Sequence, residues 1–494
     1  MKKKSIFIGG AFREHQILYM IPIIDGICEQ KKISTIVFEK KLSRSIRKIS
    51  FVKKFISKYE ILYLKDINKK NFFYLNLIKK TIYSFFIFFI SFFVNRSLLL
   101  SKKHSWFKNQ FFHSIWDTCI IFNKRSLNKF EMKSRIITAL QLSQKILDIN
   151  DLLKNNTHYA IIQHTVYADR FLFSLLRKKN IETYVQTKHV LIKQDLKKDF
   201  GFKYLDKNIF KDSYNNISKQ KIALYWKNIL KGKSKYLEAR IAGNIKTIKT
   251  NTFFDKKENV IMLHIFKDSP FTNIDRSRIY SDYYIWVLET LKIIKDSNEK
   301  WIIRKHPSSD RWGENQSEII EKLFKKVFGK NVPKHITYED NMKSNLNQFR
   351  IAKRVVTFSG NSHLEASCFG IRPIIISNTT LCNFDKSFFY KPKSIQQYRK
   401  LLLSGNNRNF LISNKGINQC KRMLYLIHNV INYGEDINSY HVFRNDPSKI
   451  FNILYKNILS KLDKNYKDMY NIGYQIGKKY NQSLNKRYLS KFTN

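Results

Sequence analysis

The stretch that most constrains this chain runs from Lys353 to Ile376 and reads KRVVTFSGNSHLEASCFGIRPIII. Val355 to Phe358 is a short β-branched and aromatic run of the kind that forms a buried strand, and it stops at Ser359, Gly360, Asn361 and Ser362. A helix is expected from about Ser362, an N-cap residue type, with Glu365 three positions on completing a capping box. Gly370 then closes the helix before Pro373 and a second apolar strand, Ile374 to Ile376. Strand, polar turn, helix and strand in that order specify a parallel α/β unit. Its turn presents backbone N–H groups, hydroxyls and a helix N-terminus, all of which favour an anion. A second reading is that Ser359 to Ser362 only cap the helix.

The same alternation runs through the rest of the chain. Ser5 to Ile8 followed by Gly9, Gly10 and Ala11 reads as a first strand and turn, with Arg13, Glu14 and His15 at its mouth and a helix from Gln16. The turn lacks GxGxxG, which disfavours a nicotinamide cofactor. Further strands are expected at Ile33 to Phe38, Glu60 to Leu64, His158 to Gln163 and Ile181 to Val185. Asn259 to Ile265, Trp301 to Ile303 and Ile336 to Tyr338 are strands of a second set, and Tyr283 to Lys295 has apolar residues at helical spacing. Alternating strands and helices argue for parallel sheets covered on both faces.

With 494 residues the chain exceeds one compact core, and 43% hydrophobic residues are ample for two. A shift to charged and Thr- and Asn-bearing sequence places the boundary near 240–258. This gives an N-terminal domain over 1–240, a second over 259–432 and a helical tail over 433–494 that packs back across the domains or lies at a membrane.

Ninety-one Lys and Arg against 38 Asp and Glu leave a net charge of +53. The basic residues are spread from Lys2 to Lys491 rather than gathered in one arm, so they argue for an anionic membrane or anionic substrates more than for nucleic acid. A basic nucleic-acid-binding protein is the reading from outside the enzymes, but no RNA-binding aromatic motif or helix-turn-helix pattern accompanies the charge. Cys28, Cys119, Cys368, Cys382 and Cys420 form no CxxC pair, which disfavours zinc and disulfides and fits a reducing cytoplasm. Ser5 to Gly10 is too short for a signal peptide core.

Ile82 to Val94, IYSFFIFFISFFV, is 13 residues of nearly unbroken apolar sequence beside Lys79, Lys80 and Arg96. It is short for a bilayer crossing, and extending it to Leu100 brings in Asn95 and Arg96. A helix lying in a membrane interface over 82–100 suits it, and a buried helix packed on the sheet is the equal alternative.

Three strand ends of the second set carry polar groups: His264, Lys267 and Asp268; Arg304, Lys305, His306, Pro307 and Ser308; and Ser359, Gly360, Asn361, Ser362, His363 and Glu365. Carboxyl ends of parallel strands share one edge, so these sets are expected to form one site. Arg304, Lys305 and His306 supply charge or N–H donors for phosphate, Pro307 fixes the turn beside the imidazole, and Glu365 suits ribose hydroxyls. Asp268 and His306 stand among the catalytic candidates. In the first domain Glu14, His164 and Asp169 lie at strand ends and are candidates for a general base or nucleophile. No DxD-type pair accompanies them, so no metal is expected and charge on a departing phosphate falls to side chains.

RKHPSS at Arg304 to Ser309 resembles an HP motif, and SGNSHLEA with Gly370 and Pro373 resembles the serine-bearing donor motif of bacterial surface-polysaccharide transferases. HIFKDSPF followed by DYYIWVLETL also resembles a segment of capsule-biosynthesis proteins, in which an aromatic often replaces Lys267. The group includes Kdo transferases and is similar to HP-motif sialyltransferases; the resemblance covers about 260–376. It implies a GT-B architecture, with an acceptor domain first, a nucleotide-sugar donor domain second and a cleft between them. It further implies that His306 binds the donor phosphate, that Ser359 and Ser362 assist, and that Glu365 holds the ribose. His363 stands where a smaller residue is common. The implied activity is metal-independent transfer of a sugar, from a CMP-linked Kdo or sialic-type donor or a UDP-sugar, to a capsule or lipopolysaccharide glycan. The acceptor would be free or lipid-linked and the enzyme peripheral on the inner face of the cytoplasmic membrane. A teichoic-type polyol-phosphate transferase and a nucleotide-sugar epimerase are the alternatives among enzymes.

Overall fold

The computed structural model describes residues 4–10, 14–64, 66, 73–101, 103–123, 129–163, 166–187, 190–193, 215–231, 258–268, 278–340, 345–359, 362–377, 386–405, 410–425, 466–467, 470–471 and 474. The first half of the chain supplies β1 (Ser5–Gly9), α1 (Glu14–Lys31), β2 (Thr35–Phe38), β3 (Glu60–Tyr63), α2 (Phe73–Phe93), α3 (Trp106–Phe122), α4 (Met132–Lys154), β4 (Thr157–Ile162), α5 (Tyr167–Lys178), β5 (Glu182–Thr187) and β6 (Val190–Lys193). The second supplies β7 (Glu258–Met262), α6 (Tyr283–Ile294), β8 (Trp301–Arg304), α7 (Gln316–Phe328), β9 (Ile336–Glu339), β10 (Ala352–Thr357), α8 (Ser362–Cys368) and β11 (Ile374–Ile375).

These strands form two sheets, ordered β3-β2-β1-β4-β5-β6 and β11-β10-β7-β8-β9. Numbered from its own first strand, the second sheet reads 3-2-1-4-5, the Rossmann order, and the first reads the same with β6 added at its edge. The expected α/β architecture of two such units is therefore present. Every pairing is parallel, as expected, except β5 with β6, an antiparallel strand added at one edge. Too few residues separate Thr187 from Val190 for a crossover, and only an antiparallel return fits so short a link.

Each central strand is apolar on both faces because helices cover both. All five residues of β1 are buried, with Ile6 and Ile8 facing one cluster with α1 and Phe7 facing another with Leu172 and Leu176 of α5. In the second sheet Ile261, Ile303 and Val356 pack against Trp286, Val287 and Leu291 of α6. The described residues at the far end of the chain return to the first unit: Tyr466 donates from its hydroxyl to Asp25 Oδ2 at 2.8 Å and sets its ring 5.9 Å from Phe51. Cys28, Cys119, Cys368 and Cys420 are free and buried, and Cys382 lies outside the described residues.

The apolar run differs from its expected length. α2 spans 21 residues, because helical order extends upstream through Tyr74, Leu75, Leu77 and Ile78 and takes Lys79 and Lys80 into the helix. Tyr74–Phe93 is long and apolar enough to cross a membrane, with mean hydropathy 1.4, and only 11% of that window is buried. It is therefore not a core helix. Asn95 ends the run by capping the short helix Arg96–Leu100 through its side chain.

β1 ends in Gly10 at φ +87°, where a Cβ would lie 3.2 Å from the backbone nitrogen of Gln163 and 3.5 Å from Asp169 Oδ2. Left-handed backbone and a facing strand both demand glycine. Gly10→Ala is expected to lower stability in urea denaturation by about 1 to 3 kcal/mol.

Candidate functional site

In an open sheet of this order ligands bind where neighbouring connections diverge, here between β7 and β10. His264, two residues past β7, occupies that point. The backbone N–H of Ser359, past β10, donates to His264 Nε2 at 3.1 Å, and Thr357 Oγ1 lies 3.0 Å from the same nitrogen while donating to the Ser359 carbonyl. Accepting there leaves the ring proton on Nδ1. Beneath, the Tyr283 ring stacks on the imidazole at 4.8 Å and 8°, with Phe358 at its edge. Burial, then the neighbouring His306, pushes the His264 pKa down to about 3. His264 is thus a neutral structural hinge pin between two strand ends.

His306 stands 6.4 Å away, ring centre to ring centre, on the turn after β8. Its Nδ1 accepts the Ser308 backbone N–H at 3.1 Å, which places the proton of the neutral ring on Nε2. The turn is held from below by α7. Gln316 Oε1 accepts the His306 N–H at 2.8 Å, and Gln316 Nε2 donates to the His264 carbonyl at 2.7 Å and to Glu314 Oε1 at 2.9 Å. Glu314 in turn accepts the backbone N–H groups of Phe266 at 3.0 Å and Lys267 at 2.9 Å. Burial pushes the Glu314 carboxyl up against the opposing pull of these hydrogen bonds. Two fully buried polar side chains therefore fasten the loop after β7 to the loop after β8. Both were missed in the sequence, because they flank Asn315, the N-cap of α7, and polar residues before an amphipathic helix read as caps.

The third loop is only partly described. Ser359 joins His264 as above; Ser362 and Glu365 are half-buried on α8, and Gly360 and Asn361 lie outside the described residues. α8 begins at Ser362 itself, so Ser362 is a residue of the helix rather than the cap before it. His363 is 2% exposed with its ring 6.2 Å from Phe389, inside the helix packing rather than lining a pocket.

Two expected cations are committed elsewhere. Arg304 is 3% exposed at the end of β8; burial draws its pKa down, and Glu339, its register partner on β9, works against that. The Lys305 ammonium sits 3.1 Å from Asp310 and 2.8 Å from Asp340. Both are corrections to the expectation of phosphate contacts: strand alternation turns Arg304 inward, and local carboxylates hold Lys305. Lys267 is half-buried with its backbone held by Glu314, and Pro307 and Ser308 are half-buried in the His306 turn.

Across from this site, the first sheet contributes a charged cluster at its own strand ends. Lys145 of α4 lies 2.8 Å from Glu39 Oε1 and 3.0 Å from Asp169 Oδ1, and Gly10 donates its N–H to Glu39 Oε2 at 2.5 Å. Burial disfavours the Lys145 ammonium, but Asp169, Glu39 and Asp148 outweigh it and keep it charged. Asp169 is thereby a buried ion-pair partner, which corrects its reading as a base. Glu14 is the first residue of α1 with its side chain outside the described residues, as is all of His164. Contacts that join the halves include the Tyr167 hydroxyl, which donates to Asp268 Oδ1 at 2.6 Å, and Arg96 Nε, which donates to Asp282 Oδ2 at 2.9 Å. Tyr167 holds φ +52°, a strained backbone for a tyrosine, where it reaches Asp268.

No family model and no curated protein matches this chain. Solved structures similar to it include the Methanocaldococcus jannaschii UDP-GlcNAc 2-epimerase in complex with UDP-GlcNAc and UDP, at 13% identity and TM-score 0.27 over 85% of this chain and 99% of that one. A Neisseria meningitidis UDP-GlcNAc 2-epimerase bound to UDP-GlcNAc follows at 10% identity and TM-score 0.25, over 86% and 98%. A glycosyltransferase from Rickettsia africae is similar at 10% identity and TM-score 0.24, over 95% and 98%. Likeness this slight leaves function to the chain's own residues.

Gln316→Leu removes the acceptor of the His306 N–H and the donor to the His264 carbonyl, and should cost about 2 kcal/mol or more in urea denaturation. His264 generates a pH dependence. An unfolded imidazole takes a proton below about 6.5, whereas the folded one resists until about 3, so stability falls as pH drops through that window. The unfolding free energy from urea denaturation should decline by about 2 kcal/mol or more between about pH 7 and about pH 4, and His264→Asn should flatten that slope.

Proposed function

We propose that this protein is a glycosyltransferase of GT-B architecture that moves a sugar from a nucleotide-activated donor to a capsule or lipopolysaccharide glycan. The observation that carries the reading is the junction of His264, His306 and Ser359 at the divergence point of the second sheet. A nucleotide's phosphates suit that point, where the His306 ring can donate to them.

In this mechanism His306 is the group that touches the donor. Its Nδ1 is occupied by Ser308, so the proton on Nε2 is the hydrogen-bond donor for an oxygen of the departing phosphate. A donor already oriented by the turn needs no rearrangement as charge develops. His264 works through Ser359, whose position it fixes, and Glu365 on α8 is the proposed ribose partner. Asp268 lies between the halves, held by Tyr167, where an acceptor hydroxyl would approach. Glu14 and His164 are the proposed bases, because Asp169 is neutralised by Lys145. The resemblance of the HP and serine motifs favours CMP-linked Kdo or sialic-type donors over UDP-sugars. A cytoplasmic site of action, beside the membrane, fits the buried free thiols and the net charge of +53.

The test is product analysis with CMP- and UDP-linked donors, together with melting in the presence of free CMP or UDP. Ligand at about a hundred times its Kd should stabilise the protein by about 2.7 kcal/mol. His306→Ala should stay folded, lose that stabilisation and lower transfer by about 100-fold or more. Full activity in His306→Ala contradicts the reading. Isomerised donor without transfer would identify an epimerase, and transfer of a polyol phosphate a teichoic-type enzyme.

A further inference from the structure

We propose that the outer face of α2, widened by a stripe on α4, is a docking surface for the interface of an anionic bilayer, with α2 lying along the leaflet rather than crossing it. α2 is built inside out. Its inward positions include Ser84, Ile87 and Ser91, of which Ser84 shares a hydrogen bond with Ser143 of α4 at 2.8 Å and Ser91 accepts from Arg135 at 3.1 Å. Its outward positions are large and apolar: Tyr74 is 78% exposed, Ile82 60%, Phe85 72%, Phe86 60%, Phe89 57% and Phe93 60%. In water such a face gains nothing from its own packing; a helix in a soluble core would turn it the other way.

The pairs Ser84 with Ser143 and Ser91 with Arg135 set α2 and α4 antiparallel. That geometry places Met132, Ile136 and Leu140, an i, i+4, i+8 stripe exposed at 57%, 46% and 46%, beside the phenylalanines. Exposed Lys79 flanks the patch near one end and exposed Lys133 near the other. Apolar side chains framed by lysines match acyl chains beneath anionic headgroups. A second copy of this chain would bring another +53 charges to the same face, so charge selects the bilayer over a self-dimer. Length alone would permit α2 to span. Spanning would pull Ile87 out of the cluster it forms with Ile115, Cys119 and Leu142, and would carry the Ser84 and Ser91 contacts into hydrocarbon.

The test is flotation of the full chain with vesicles of phosphatidylcholine, alone or mixed with phosphatidylglycerol, a readout independent of any transfer activity. The protein should float with the mixed vesicles and be released by alkaline carbonate. The triple variant Phe85→Ser, Phe86→Ser, Phe89→Ser should lose about tenfold or more in vesicle partitioning with its circular dichroism and melting unchanged, since the three side chains face outward. Lys79→Glu with Lys133→Glu should remove the preference for phosphatidylglycerol. Equal binding by the triple variant overturns the proposal. So does resistance to carbonate, which would mean a spanning helix, or a dimer in light scattering that the triple variant abolishes without any vesicle binding.

Discussion

The second half of the molecule depends on one imidazole that stays uncharged at neutral pH. His264 sits where three strand ends approach, and its unprotonated nitrogen accepts the N–H of Ser359 while its own carbonyl accepts from Gln316. A protonated ring could not accept from Ser359. Burial, then the neighbouring His306, keeps it neutral, and the Tyr283 ring stacks on it. Through this ring and the Glu314 and Gln316 side chains, loops after β7, β8 and β10 behave as one rigid rim. Under the proposed function that rigidity would matter, because a group oriented in advance contributes most as charge develops.

The first half answers with a different economy of charge. Lys145 between Glu39 and Asp169 fills the corresponding divergence point with an internal salt bridge, closed by the Gly10 N–H on Glu39. The two rims touch through Tyr167 and Asp268, and Arg96 reaches from the end of the exposed helix α2 to Asp282, which caps α6 through Ile285. Since Tyr283 follows Asp282 and stacks on His264, the apolar face and the candidate site are linked by consecutive packed groups. A bilayer-seated enzyme of this shape would hold its crevice near the leaflet.

The fold was largely legible in the sequence, for a physical reason. Central strands buried on both faces, such as β1, β8 and β10, are continuous apolar runs closed by glycine or polar turns, and such runs have few other uses. The edge strand β6 and the helices α3 and α4 were not legible: Met132–Lys154 carries Ser134, Thr138, Ser143, Lys145 and Asp148 as buried residues, which blurs any apolar stripe. The site was legible as a set of strand ends and not as a set of contacts. His264, His306 and Ser359 meet, whereas Arg304 alternates inward and Lys305 is claimed by Asp310 and Asp340, neighbours that only folding reveals. Glu314 and Gln316 left no local trace because their partners are backbone groups of distant loops.

The most direct measurement follows the histidine ring nitrogens by nuclear magnetic resonance while nucleotide is added. If the crevice grips a donor phosphate, CMP or UDP moves the Nε2 signal of His306 and leaves His264 neutral, and the matching nucleoside without phosphate does not. An unmoved His306, or the same shift with the bare nucleoside, would contradict the account.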